Sequence, residues 1–209
     1  SLLREVQQDT GDIIVYAPTY RDWGDNDYPL DLAELNTWCK TQRVSFLLKF
    51  HPFISRKFAD AMRLDNLDQL QQLPGLPHIY LYPSGKNVYP WLADARALIT
   101  DYSSIAYDFL LSNKPIIYYQ YDIEKYRELH GETLVADDDF VTGTVVHFQA
   151  ELLLQIVLLL NYDETEEKTQ KVVRETLMNK FLITKIWRCQ VLLPISGSKL
   201  LDSFLLFKR

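Results

Sequence analysis

Short apolar runs alternate with amphipathic stretches along the first 120 residues of the chain. The first run, residues 13–17, is rich in β-branched side chains and is closed by Pro18. Runs that are apolar on both faces are typical of strands buried in a parallel sheet. Similar runs follow at residues 44–50, 79–82, 97–100 and 115–119. The pattern therefore predicts a sheet of at least five strands.

Between these runs, apolar residues recur at helical spacing. Leu32, Leu35 and Trp38 share one face of a predicted helix at residues 30–41. After Tyr121 the apolar periodicity weakens, and polar turns are predicted there. Further helices are predicted at residues 58–70, 103–111, 150–160, 164–181 and 199–207. Strands and helices that alternate in this way indicate an α/β fold with a doubly wound parallel sheet.

Composition and charge narrow the class of protein. The 209 residues suffice for a single α/β domain, and 47% hydrophobic with 24% charged residues is an ordinary globular mixture. The net charge of -6 argues against a dedicated nucleic-acid binder. The two cysteines, Cys39 and Cys189, have no metal-ligand spacing and favour a reducing, cytoplasmic setting. No stretch reaches the roughly 20 apolar residues of a transmembrane helix, and the first residues, without Met or a signal pattern, suggest a fragment of a longer protein.

Polar and ionisable residues follow directly after each predicted strand. Ligands of open parallel sheets bind at the carboxyl ends of the strands, so these residues are the candidates for a site. The segment 101–104, Asp-Tyr-Ser-Ser, ends a strand and begins a helix, where N–H groups and hydroxyls can hold phosphate. The alternative is that Ser103 only caps its helix. The GxGxxG and GxxxxGK[ST] fingerprints are absent, which disfavours a dinucleotide oxidoreductase and a P-loop NTPase.

Two further candidates are His51 and Arg21. His51 precedes Pro52, which holds it extended at the end of its strand, where its imidazole could contact phosphate or transfer a proton. A structural or idle histidine is the alternative. Arg21 follows the first strand and is a candidate phosphate clamp, or else a solvated surface charge.

Five ordered motifs resemble the CDP-glycerol glycerophosphotransferase family, which contains teichoic-acid primases and polymerases and related capsule enzymes. The match runs over residues 12–151 and is loose over a helical tail at 185–209. The motifs are Tyr-Ala-Pro-Thr-Tyr-Arg at 16–21, Leu-Lys-Phe-His-Pro at 48–52, Asp-Tyr-Ser-Ser at 101–104 with Asp-Phe at 108–109, Pro-Ile-Ile-Tyr-Tyr at 115–119 and Tyr-Asp at 121–122.

The resemblance implies a Rossmann-like, nucleotide-binding C-terminal half of a GT-B fold, which would make residues 1–209 one domain whose N-terminal GT-B partner is absent. It also implies transfer of glycerol phosphate, or a related polyol phosphate, from a CDP-activated donor to an acceptor hydroxyl with release of CMP. His51 matches the family's catalytic His-Pro motif. Ser103 and Ser104 match its phosphate-holding residues, and Asp101 is expected to orient their turn. No cofactor and no metal are implied.

Expected partners are a CDP-polyol, a polyol-phosphate or lipid-linked glycan acceptor and the missing domain, at the inner face of a bacterial membrane. The chain departs from the family pattern in two places. His130-Gly131 stands where the family has Arg-Gly, so His130 becomes the candidate donor ligand there, and Gly143-Thr144 stands where Gly-Pro is frequent. A nucleotide-sugar GT-B glycosyltransferase, and a non-enzymatic flavodoxin-like or receiver-like module, are the alternatives.

Overall fold

The computed structural model describes residues 11–23, 29–130 and 141–161, together with Val6, Val172, Glu175 and Thr176. Its strands are β1 (Asp12–Tyr16), β2 (Val44–Leu48), β3 (Gln71–Leu73), β4 (Leu76–Leu81), β5 (Ala97–Thr100), β6 (Ile116–Tyr119) and β7 (Thr144–Val146). Its helices are α1 (Leu32–Gln42), α2 (Pro52–Met62), α3 (Tyr89–Asp94), α4 (Ile105–Leu110), α5 (Ile123–His130) and α6 (Gln149–Leu160). The predicted α/β fold is confirmed.

The described strands form one sheet in the order β3-β4-β2-β1-β5-β6-β7. All neighbouring pairs are parallel except β3 with β4. From β1 the chain builds outward through β2 and β4, then returns to the other side of β1 and builds through β5, β6 and β7. The winding therefore reverses between β1 and β5, and a crevice opens there at the carboxyl ends of the strands.

Helices cover both faces of the sheet, so each central strand buries alternate residues on opposite sides. Ile14 and Tyr16 belong to the hydrophobic cluster that includes Leu35 of α1, while α2 and α6 also contribute to that cluster. Ile13 and Val15 belong to the second cluster, with residues of α3 and α4. This two-sided burial explains why the strands are apolar throughout, and it confirms that the sheet is doubly wound.

Several predicted elements need correction. The helix predicted at 58–70 begins instead at Pro52, with His51 as its N-cap, and ends before Arg63, whose left-handed φ of 55° terminates it. The region after Tyr121, predicted as polar turns, contains α5, because Tyr126 packs on a neighbouring aromatic residue and anchors that helix. The short elements α3, β3 and β7 were not predicted, since three to six residues carry little periodicity.

The predictions for the C-terminal region fall mostly outside the described residues. Of the helix predicted at 164–181, only Val172, Glu175 and Thr176 are described, and all three are helical. The helix predicted at 199–207 and the tail at 185–209 lie wholly outside the described part of the chain. Among the described residues, α6 with 12 residues is the longest helix, and none is long and apolar enough to cross a membrane.

Candidate functional site

The loops that leave β1 and β5 meet at the crevice where the sheet reverses its winding. The Thr19 backbone N–H donates to both carboxylate oxygens of Asp101, at 2.8 and 3.1 Å. One residue before Asp101, the Thr100 hydroxyl donates to the Ala17 carbonyl at 2.7 Å. These bonds join the two loops across the crevice and set the position of the segment that carries Ser103 and Ser104.

Asp101 is buried and accepts its hydrogen bonds from within the protein. Its side chain is 1% exposed, and it accepts from the Tyr102 backbone N–H as well as from Thr19. Burial raises the pKa of Asp101, whereas Arg21 and these N–H groups act in the opposite direction. An anionic carboxylate would repel phosphate, so the contacts suit the expected role of orienting the turn.

Arg21 is buried in an ion-pair network, whereas the sequence offered a phosphate clamp or a solvated surface charge. It is 2% exposed, so it is not a solvated surface charge. Its guanidinium binds Asp122 through Nε and Nη2 at 2.8 and 3.0 Å, Asp101 through Nη2 at 2.8 Å and the Thr19 carbonyl through Nη1 at 2.8 Å. Burial works to lower the pKa of Arg21, but Asp101 and Asp122 raise it above its usual range. Its donors are directed at these acceptors, which speaks against the predicted phosphate clamp.

Four aromatic rings surround the Arg21 guanidinium carbon at 5.1 to 5.7 Å. A cation held over aromatic faces away from water gains electrostatic stabilisation. The rings are those of Trp23, Tyr102, Tyr121 and Tyr126. We call this group, with Arg21, the arginine cage. It ties the loops that follow β1, β5 and β6 to one another.

His130 packs against the outside of the arginine cage at the end of α5. Its ring lies 4.7 Å from the ring of Tyr126 and 5.6 Å from that of Trp23, measured between centroids. Its Nε2 is 3.5 Å from the Asp22 carboxylate, and its side chain is one-third exposed. The structure thus brings the candidates Arg21, Asp101 and His130 into one cluster, with His130 on its accessible side.

Ser103 and Ser104 occupy the turn between β5 and α4. The Ser103 hydroxyl is half-buried and accepts from the Ile105 backbone N–H at 3.4 Å, so part of the capping alternative holds. Ser104 is exposed and its hydroxyl makes no capping bond. Within the described ranges, the backbone N–H groups of Ser103 and Ser104 have no protein acceptor. These donors are available to an anion at the crevice.

His51 lies beyond the carboxyl end of β2, at the same edge of the sheet as the two serines. Tyr16 pairs with both Leu48 and Ile99, so the strands that precede these loops end at a similar height. The loop after β1 lies between them, and its Tyr20 ring stacks against His51 with centroids 5.0 Å apart. Tyr20 is thus adjacent to both Thr19 and His51 and links the histidine to the crevice.

The capping role of His51 determines which ring nitrogen can act on a ligand. Nδ1 accepts from the Phe53 backbone N–H at 3.4 Å, at the start of α2. An acceptor Nδ1 places the proton of a neutral imidazole on Nε2. The residue is exposed, so Nε2–H is a donor that faces solvent at the edge of the crevice.

Sequence reasoning did not single out three polar groups at this edge. Lys49, in the Leu-Lys-Phe-His-Pro motif, is half-buried, its Nζ donates to the Phe50 carbonyl at 3.1 Å, and burial lowers its pKa. Asp122 holds Arg21. The Tyr16 hydroxyl is buried without a hydrogen-bond partner in the described part of the chain. The sequence signal that could have identified each of them is its position at or near the end of a strand.

No group of three or more metal-ligating side chains occurs among the described residues.

Two curated relatives of the chain are enzymes named for teichoic acid synthesis. A curated relative, the teichoic acid glycerol-phosphate primase of Bacillus subtilis (strain 168), is 30% identical over 156 residues, which cover 73% of this chain and 36% of the relative. The teichoic acid ribitol-phosphate polymerase TarL of Staphylococcus aureus (strain NCTC 8325 / PS 47) is 30% identical over 119 residues, 54% of this chain and 19% of that protein. The chain therefore spans about a third or less of these relatives.

The fold has a counterpart among solved structures. The wall teichoic acid polymerase TagF superposes with a TM-score of 0.61 at 24% identity, over 85% of this chain and 42% of that one. The family model of the CDP-glycerol:poly(glycerophosphate) glycerophosphotransferases matches residues 3–181. The chain belongs to this glycerophosphotransferase family.

Proposed function

We propose that this chain supplies the donor-nucleotide site of an enzyme that transfers glycerol phosphate, or a related polyol phosphate, from a CDP-activated donor to an acceptor hydroxyl. The observation that carries the proposal is the crevice between β1 and β5, where the Asp101–Thr19 bonds hold Ser103 and Ser104 beside the edge that carries His51. Membership of the glycerophosphotransferase family supports the choice of reaction.

In the proposed reaction, the acceptor oxygen bonds to the β-phosphorus of the donor and the bond from that phosphorus to the bridging oxygen breaks. CMP leaves with the bonding electrons, and the acceptor hydroxyl loses its proton to a base. The resemblance assigns a second catalytic histidine to an N-terminal GT-B domain, which would be the partner of this C-terminal half. Negative charge grows on the bridging oxygen and on CMP.

The site residues suit the stabilisation of that charge. The N–H groups and hydroxyls of Ser103 and Ser104 would bind phosphate oxygens, and the His51 Nε2–H would donate to the donor pyrophosphate. Donors held in place before the reaction stabilise developing charge without further reorganisation. Asp101 and Arg21 would hold the turn, and His130 would contact the donor from the outer side of the arginine cage.

The cellular setting is also part of the proposal. Relatives are named as teichoic acid primases and polymerases, so we place the reaction in bacterial cell-wall or capsule polymer synthesis. The acceptor would be a polyol-phosphate or lipid-linked glycan at the inner face of the cell membrane. A cytoplasmic protein that associates peripherally with that face would have access to both the soluble donor and this acceptor.

Differential ligand binding tests the proposal. CDP-glycerol and CDP should raise the melting temperature of the chain more than UDP or UDP-N-acetylglucosamine do, because a ligand that binds only the native state stabilises it by mass action. Calorimetric titration should show the same order of affinity. Equal shifts with all four ligands would contradict cytidine selectivity, and no shift at millimolar CDP-glycerol would contradict the donor site. The variant S103A/S104A removes the two hydroxyls but keeps the backbone N–H groups, so it is expected to reduce the shift and to retain its fold by circular dichroism.

A further inference from the structure

Gln120, directly after β6, has a buried amide without a partner. The residue is 6% exposed, and its Nε2 makes no hydrogen bond within the described part of the chain. A buried amide N–H that lacks an acceptor costs free energy, so native proteins nearly always supply one. This N–H is therefore a candidate donor for a molecule that enters the site.

The backbone of Gln120 is fixed on both sides. Its N–H donates to the Val146 carbonyl at 2.9 Å, and its carbonyl lies 3.0 Å from the His147 Nδ1. The bond to Val146 continues the pairing of β6 with β7 by one residue, and the contact with the His147 ring holds the Gln120 carbonyl. Side chains alternate along a strand, so Gln120 lies on the same face as Tyr118. That face belongs to the cluster that contains Phe109 of α4.

The register of β5 and β6 places this amide beside the serine turn. Thr100 pairs with Tyr118, so Gln120 and Tyr102 each lie two residues beyond that pair, and Ser103 comes next along the chain. The amide therefore lies at the carboxyl edge of the sheet, on the face from which α4 begins. His51, two strands beyond β5, is at the same edge.

We propose that the Gln120 Nε2 donates a hydrogen bond to a phosphate oxygen of the bound donor, as a binding residue in addition to the serine turn. This inference rests on the proposed function. Phosphate oxygens are acceptors only, so they match an unpaired N–H. A neutral amide at this position can be buried in the free protein at a lower cost than a lysine or arginine.

Two substitutions at Gln120 and one control separate binding from folding. Gln120→Met removes the unpaired amide at similar volume, so the melting temperature should stay the same or rise while the affinity for CDP-glycerol falls about tenfold. Gln120→Glu replaces the donor with a carboxylate of the same shape and should weaken binding further. Thr142→Val removes the buried hydroxyl that bonds Tyr118 at 2.9 Å, so it should lower stability and leave affinity within about twofold.

The measurement is calorimetric titration with CDP-glycerol, with inorganic pyrophosphate as a competitor that lacks the base. The inference predicts that Gln120→Met weakens competition by pyrophosphate by the same factor as it weakens CDP-glycerol. The inference fails, and the proposed function stands, if CDP-glycerol binds wild type and Gln120→Met with equal affinity. The same conclusion follows if pyrophosphate competes equally well against both proteins, or if it competes against neither of them. If wild type does not bind CDP-glycerol, the proposed function fails and the inference with it.

Discussion

The proposed function gives His51 two separable roles, because Nδ1 caps α2 and Nε2 would meet the donor. The Nδ1 contact to the Phe53 N–H is local and belongs to folding. Among the described residues Nε2 makes no hydrogen bond, and it is the atom that a phosphate would meet. Asparagine can reproduce the first role, since its side-chain oxygen is a favoured N-cap acceptor, but it is too short for the second.

We therefore expect His51→Asn and His51→Ala to differ in stability and to agree in function. His51→Ala should lower the free energy of unfolding by about 1 kcal/mol, and His51→Asn should not. Both should weaken CDP-glycerol binding, and in a protein that joins this chain to its N-terminal domain both should lower CMP release roughly 10²-fold. Urea unfolding and product assays measure the two effects. Near-normal turnover in the folded Asn variant would return His51 to a purely structural role.

Arg21 is the residue whose removal should cost the most stability. Arg21→Met would leave the buried carboxylate of Asp101 and the partly buried one of Asp122 without their cation, and breaking such a pair costs about 3–5 kcal/mol. Arg96→Met is the matched control, since Arg96 is 35% exposed and lies 3.8 Å from Asp12 at the surface. The control should cost under about 1 kcal/mol. Similar unfolding midpoints for the two variants would show that the arginine cage contributes little.

Among the strands, the close approach of the β6 and β7 backbones determines where β7 can pair with β6. Gly143 precedes β7, and a Cβ at this position would lie 2.0 Å from the Ile116 carbonyl oxygen of β6. The glycine is therefore required by the approach of two backbones. The departure from the family's Gly-Pro falls on Thr144, which begins β7 in register with Ile117. The glycine itself is retained.

Gly143→Ala should accordingly destabilise the protein by about 3 kcal/mol, because a rigid carbonyl must move to admit the methyl group. Gly85→Ala provides the comparison. Gly85 has a φ of +77° but open space around its Cβ position, so alanine there should cost only about 1 kcal/mol of backbone strain. Denaturant midpoints with equal slopes would measure both changes. A larger loss at Gly85 would contradict the steric explanation.

For the whole molecule, the winding reversal between β1 and β5 places the loops that carry Thr19, Asp101 and the serine turn at one crevice. Neighbouring β2 brings His51 to the same edge. The teichoic acid primase of Bacillus subtilis is about three times as long as its matched region. Under the proposed function, the acceptor site and the second catalytic histidine would lie in another part of the protein. This chain should then bind the donor without catalysing its turnover.

We expect the isolated chain to bind CDP-glycerol and to release no CMP above a buffer blank. Adding the separately produced N-terminal domain and a polyol-phosphate acceptor should restore release, because charge stabilisation and proton removal would then be joined in one site. Calorimetry and chromatographic detection of CMP measure the two steps. CMP release by the isolated chain at the rate of the combined domains would contradict the division of roles.

The apolar runs predicted the central parallel sheet, because a strand that is apolar on both faces needs a covering layer on each side. The sequence also determined the candidates at strand ends, because a residue that directly follows a parallel strand must lie at the carboxyl edge. His51, Ser103 and Ser104 were identified in this way. The resemblance carried by five motifs then indicated the family.

The contacts of Arg21 and the unpaired amide of Gln120 depend on tertiary packing. Arg21 was assigned to a ligand from its position alone, but Asp101 and Asp122, 80 and 101 residues away along the chain, enclose it. Gln120 is made a candidate by the absence of a partner among the described residues, a property of its surroundings that no local pattern encodes. The helix α5 was missed for a related reason: it is short and mostly polar, and packing of Tyr126 on Tyr102 stabilises it.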